Sequence, residues 1–120
     1  MKNIAPDIFR QRLLIEAYYG IEISKDVIED YFTEIIKHLG LRSYGQAAIF
    51  SPDPDLGRKG NQGFDAFIPL IDSGISIYVW SPRKFVSILI YTCKAFNEQK
   101  ALDFTEKFFK IAGEMVHLSF

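Results

Sequence analysis

Residues 62–93, QGFDAFIPLIDSGISIYVWSPRKFVSILIYTC, constrain the fold of this chain more than any other stretch. Residues 64–71, 75–80 and 85–93 are apolar runs rich in β-branched and aromatic side chains, separated by the short breaks Asp72-Ser73-Gly74 and Ser81-Pro82-Arg83-Lys84. Runs of this kind predict strands, and breaks this short join strands that pair antiparallel. With Asp72, Ser73 and Gly74 as the first turn, Ile71 is expected opposite Gly74, Phe67 opposite Tyr78, and Asp65 opposite Trp80.

Opposed residues share a face, and alternation divides the two faces. One face then carries Phe64, Ala66, Ile68, Leu70, Ile75, Ile77 and Val79, all apolar, and should lie under helices. The other carries Asp65, Phe67, Pro69, Ser76, Tyr78 and Trp80, the mixture of aromatic and polar groups expected of a pocket or a dimer seam. Phe85, Ser87, Leu89, Tyr91 and Cys93 add one face of the next strand. Pro69 cannot donate a ladder hydrogen bond, so it points to an edge or a bulge near the turn and leaves Ser73 accessible.

The remaining elements flank this meander. Residues 12–19, RLLIEAYY, read as a strand. Ser24 is placed as an N-cap, with Val27, Ile28, Tyr31, Phe32, Ile35, Ile36 and Leu39 at helical spacing and Gly40 as the stop. Residues 43–50 read as a second strand, and 51–63 (SPDPDLGRKGNQG) as a surface loop. Asn97 is placed as the cap of a second helix with the inner stripe Ala101, Phe104, Thr105, Phe108, Ile111 and Ala112, ended by Gly113. Residues 114–120 close as a sixth strand. The order β-α-β-β-β-β-α-β predicts one α+β domain over residues 1–120, a two-layer sandwich with an antiparallel sheet covered by two helices on one face.

Composition narrows the function classes. Fourteen basic and fifteen acidic residues nearly cancel, and no basic run exists, so neither nucleic acid nor a charged membrane surface is an expected partner. No apolar run approaches the roughly 20 residues of a membrane span. The opening MKNIAPDIFRQR lacks the apolar core of a signal peptide. One cysteine cannot form an internal disulfide, which fits a reducing, cytoplasmic setting. His38 and His117 have no partner at metal-ligand spacing, so no metal is expected. Eleven Phe, six Tyr and one Trp either fill the core or coat a sheet face that dimerisation covers.

The segments Gln62-Gly63-Phe64-Asp65-Ala66, Asp72 to Pro82 and Tyr91-Thr92-Cys93 together resemble the short prokaryotic S-adenosylmethionine decarboxylases, whose pattern runs QGxSG, then ESHLSIHTWPE, then FTCG. RLLIEAYYG resembles the family's opening strand and KALDF, residues 100–104, the start of its last helix. The resemblance implies a homodimer packed sheet to sheet and a role in polyamine (spermidine) biosynthesis. It also implies a pyruvoyl cofactor made from Ser73, which attacks the carbonyl of Asp72 and leaves, after elimination, a ketone that serves as electron sink for decarboxylation. Cys93 matches the thiol that reprotonates the product carbon.

Asp72 stands where the pattern has glutamate, a conservative change, and four other departures bear on the chemistry. Tyr78 stands where a processing histidine is expected; histidine titrates near about pH 6.5 and tyrosine near about 10, so tyrosine is the poorer base at neutral pH. Asp65 stands at the second processing position, normally serine. Pro82 replaces a glutamate that would hold ribose hydroxyls, and Gly74 replaces a histidine beside the serine. Phe67, Ser76 and Trp80, on the mixed face, are candidate substrate contacts. Three readings follow: an unprocessed binding or regulatory protein taking a small amine or nucleoside ligand, a pyruvoyl decarboxylase acting on S-adenosylmethionine or a smaller basic amino acid, and a purely structural dimer.

Overall fold

The computed structural model describes residues 1–51 and 62–120; most of the expected surface loop, residues 52–61, lies outside the described residues. Six strands form one antiparallel sheet: β1 (Gln11–Tyr18), β2 (Ala48–Phe50), β3 (Gly63–Leu70), β4 (Ser73–Trp80), β5 (Phe85–Thr92) and β6 (Met115–Ser119). Their spatial order is β2-β3-β4-β5-β1-β6. Helix α1 (Lys25–Leu39) links β1 to β2, and α2 (Glu98–Phe108) links β5 to β6. The element order and the α+β class agree with the reading of the sequence.

Local chemistry explains the helix boundaries. Ser24 caps α1, its side chain accepting from the amide of Val27 at 3.3 Å. Gly40 ends it in the left-handed region at φ 69°, where a residue without Cβ pays no steric cost. Asn97 caps α2 by accepting from the amide of Lys100 at 2.9 Å. Helix α2 stops at Phe108, short of the expected Gly113. The cause is tertiary: the Phe109 carbonyl accepts from the amide of Gly20 at 2.9 Å, Phe109 is fully buried, and Lys110 turns left-handed. Strand β2 is also shorter than expected, with Ser43 making only an isolated bridge to Leu70.

The β3–β4 register differs from the expectation by two residues. Phe67 pairs with Ser76, Asp65 with Tyr78 and Leu70 with Ser73. A shift of two preserves the alternation, so the expected faces survive. Leu13, Ile15, Ala66, Ile68, Leu70, Ile75, Ile77, Val79, Val86, Ile88 and Ile90 are buried on the helix side. Pro69 lies beyond the short β2 partner, and its carbonyl accepts from the amide of Tyr44 at 3.2 Å. Its missing N–H therefore faces the outer side of β3, where no ladder bond is lost.

The opposite face of the sheet is open. It presents Phe50, Phe67, Tyr78, Tyr91, Tyr18, Val116, Leu118 and Phe120, with exposures from 38% at Tyr91 to 68% at Phe50.

The helix layer is locked by an aromatic cluster around Tyr31, whose ring centroid lies 4.8 Å from Phe109, 5.2 Å from Phe108 and 5.9 Å from Phe104. Its hydroxyl and that of Thr105 are 2.8 Å apart, a buried bond between α1 and α2. Tyr31→Phe leaves the Thr105 hydroxyl buried and unpaired and should cost about 1–3 kcal/mol in urea unfolding; the double variant Tyr31→Phe, Thr105→Val should recover part of that loss. Burial also pushes the Tyr31 hydroxyl pKa above its ordinary value of 10.0, against the smaller opposing effect of the Thr105 bond. The folded chain then holds this proton more tightly than the unfolded chain. Stability should be level below about pH 10, fall above it, and fall less steeply in Tyr31→Phe.

Candidate active-site corner at Ser73

The chain reverses between β3 and β4 through Ile71 and Asp72 alone, because Leu70 and Ser73 already pair. Asp72 takes the left-handed conformation at φ 57°, which aspartate tolerates better than most residues. Ser73 is thus the first residue of β4 rather than the centre of the turn, a correction that follows from the two-residue change in register.

On the other side of β4, Gly74 pairs with Tyr91. Cys93, just past the end of β5, therefore comes beside Ser73, and its backbone N–H donates to Ser73 Oγ at 2.9 Å. Among the described residues this amide is the hydrogen-bond partner of the Ser73 side chain. The chain beyond β5 is held by Thr92 Oγ1, which donates to the carbonyl of Lys94 at 2.7 Å. Lys94 Nζ in turn donates to the Gly40 carbonyl at 3.0 Å, a cation on the negative end of α1.

Two clefts meet at Asp72 and Ser73. One, of 340 Å³, opens on the bare face of the sheet between Phe67, Ser76, Leu89 and Tyr91. The other, of 170 Å³, lies at the end of the sheet against Arg42, Cys93 and Lys94. Gly74 forms part of the first wall for a specific reason. A Cβ there would stand 2.4 Å from Phe67 Cε2, so the ring occupies the space that a side chain at position 74 would need.

The structure therefore brings Ser73, Asp72, Cys93, Phe67 and Ser76 to one corner. It places the other nominated residues elsewhere. Asp65 and Tyr78 oppose one another on β3 and β4, five positions along β4 from Ser73, roughly 17 Å at the usual strand rise. Trp80 stands at the far end with Tyr18, Arg83 and Phe85, around a separate 270 Å³ hollow. Pro82 lies in the short 3-10 turn Ser81–Arg83 at that same end.

Sequence reasoning passed over Glu16, Arg42 and Lys94. Glu16 continues the Asp65–Tyr78 row across the open face: Tyr78 pairs with Ser87, Ser87 with Glu16, and Ser87 Oγ donates to Glu16 Oε2 at 2.8 Å. A signal existed, because a carboxylate inside RLLIEAYY is out of place in an apolar run. Arg42 and Lys94 left no such signal, since they come from coil segments more than 50 residues apart. A larger gap of 450 Å³ beside α1, between Phe32, Thr33 and Gln46, contains none of the nominated residues. No cluster of three or more His, Cys, Asp or Glu side chains able to hold a metal forms among the described residues. No helix of the described residues is long and apolar enough to cross a membrane.

Comparison with known proteins places this corner in context. No curated protein sequence matches the chain significantly. Among solved structures, the crystal structure of the adenosylmethionine decarboxylase from Aquifex aeolicus VF5 is similar with a TM-score of 0.70 at 16% identity, covering 94% of this chain and 89% of the other. At that identity the likeness shows a common fold. The family model for S-adenosylmethionine decarboxylase matches residues 12–118, from the first strand to the last. The chain belongs to the S-adenosylmethionine decarboxylase family, a family that is in general pyruvoyl-dependent.

Proposed function

We propose that this member of the family stays unprocessed and acts as a binding or regulatory protein, assembled as a homodimer through the open face of its sheet. One observation carries the reading. The Ser73 hydroxyl oxygen is held by the Cys93 amide, and no side-chain base is hydrogen-bonded to it among the described residues. To attack the Asp72 carbonyl, this hydroxyl must lose its proton, and an oxygen that accepts from an amide is the weaker nucleophile for doing so. At the two processing positions stand Tyr78, a poorer base at neutral pH than histidine, and Asp65, which pair with each other across β3 and β4.

The fit to a pyruvoyl group is accordingly split. Ser73 as precursor and Cys93 as an exposed thiol beside it suit the group. The residues that would have to break the Asp72–Ser73 bond do not. The adjacency of Ser73 and Cys93 favours the second reading, a working pyruvoyl-dependent decarboxylase of polyamine biosynthesis. Intact mass after prolonged incubation decides between the two. The first reading expects a single chain of 120 residues. Fragments covering residues 1–72 and 73–120, the second starting with a ketoacyl group, would refute it.

Dimerisation is supported by the run of half-exposed aromatic and aliphatic side chains on one sheet face, because a large contiguous apolar patch marks an interaction surface. Leu118 lies on that face at 55% exposure, so a charge there costs the isolated fold little. Leu118→Lys should shift sedimentation from dimer to monomer while leaving the far-ultraviolet circular dichroism spectrum unchanged. A wild-type chain that sediments as a monomer at micromolar concentration would count against the interface.

A further inference from the structure

The two edges of the sheet are built differently. At one edge β2 is three residues long, Pro52 and Pro54 follow it in the chain, and Pro69 stands where β3 runs on beyond it. Short edge strands and proline are usual protections against unwanted strand pairing. At the other edge β6 is five residues of plain strand, Met115-Val116-His117-Leu118-Ser119, with no proline, lysine or bulge, and Val116 to Ser119 are exposed.

The direction of its free backbone groups follows from the ladder. The Phe120 amide donates to the Arg12 carbonyl, and the register runs unbroken from there. Alternation then turns the N–H and C=O groups of Phe120, Leu118 and Val116 toward β1. Met115, His117 and Ser119 turn theirs away from the sheet, and among the described residues no backbone bond reaches those outward groups.

A second copy of β6 fits this edge. Antiparallel pairing about a two-fold axis at His117 sets Met115 against the partner's Ser119 and His117 against the partner's His117. Every outward N–H of both strands then meets a carbonyl, and moving the axis to Val116 or Leu118 leaves some unpaired. The same register sets Val116 against the partner's Leu118 twice on the open face, at the close, non-hydrogen-bonded positions. Just outside the strand, Glu114 falls opposite the partner's Phe120. Within each chain the Arg12 guanidinium lies 5.2 Å from the centre of the Phe120 ring, so each end of the seam brings a carboxylate toward a cation. On the helix side each His117 keeps a counter-ion, its Nδ1 being 3.8 Å from Glu98 Oε1.

We infer that β6 is a second self-association edge, pairing antiparallel with β6 of another copy, His117 against His117, and joining two sheets side by side. The contact goes beyond the open-face dimer and does not depend on it. A five-residue strand spans about 17 Å, so the seam belongs with the small interfaces, under about 1,200 Å², that form and part readily. It should assemble at higher protein concentration than the face contact. Because it is isologous, it closes at two copies and does not propagate by itself.

The test is a disulfide trap. In an oxidised sample of Cys93→Ser, His117→Cys, most of the chain should run at twice its mass on a non-reducing denaturing gel. Residues bonded across antiparallel strands lie about 5.5 Å apart, within disulfide reach. Cys93→Ser, Met115→Cys should stay at single mass, since its two thiols would be four positions apart along the seam, about 14 Å. Adding Phe50→Lys, at the far edge of the open face, should break the face contact and leave the trap intact, so the two interfaces fail separately. His117→Pro removes an outward N–H without touching the β1 ladder. It should keep the circular dichroism spectrum but lose the rise of sedimentation-average mass with concentration that the wild type shows. A His117→Cys chain that melts cooperatively yet does not cross-link, a Met115→Cys chain that cross-links equally, or a His117→Pro chain that associates like wild type would each overturn the inference.

Discussion

The register of β3, β4 and β5 is the constraint on which this molecule depends. Antiparallel pairing through the two-residue link Ile71–Asp72 sets Leu70 against Ser73, and the β4–β5 pairing sets Gly74 against Tyr91. From these two facts follow the Cys93 amide on Ser73 Oγ, the Phe67 ring over Gly74, and the pairing of Asp65 with Tyr78. A side chain at position 74 would collide with Phe67, so Gly74 and the local packing support the same alignment.

The sheet is two surfaces with different tasks. The helix side is a continuous layer of aliphatic residues sealed by the Tyr31 cluster and needs nothing further. The other side mixes aromatic and aliphatic residues with one polar row, Asp65, Tyr78, Ser87 and Glu16. Covering it with a second copy would shelter the apolar groups and take two carboxylates out of bulk water. Buried carboxylates need partners, so the Ser87–Glu16 hydrogen bond is of a kind that such an interface would use.

The Ser73 corner shows how a sheet framework holds some of the positions a site would use more firmly than others. Serine, thiol and turn remain adjacent because they belong to the sheet pairing, which the core enforces. The proton-handling positions do not belong to the core. Tyr78 and Asp65 lie exposed on the open face, where substitution leaves the fold intact. The corner's charges come from yet other places: Arg42 from the segment after α1, and Lys94 from the segment after β5.

Alternation in residues 64–80 was enough to sort the two sheet faces, because hydrophobic burial depends on parity and a register wrong by two residues has the same parity. Ser24, Gly40 and Asn97 were equally readable, since capping is a local matter of one side chain or one φ angle. What lay outside the sequence were the events decided between distant segments. The Gly20 amide taking the Phe109 carbonyl ended α2 early. The pairing of β3 with β4 set Asp65 opposite Tyr78, and the segments after α1 and β5 converged so that Arg42 and Lys94 line one cleft with Asp72. Composition and periodicity record which surfaces must be buried; where charges from separate segments meet is set only when those surfaces close on one another.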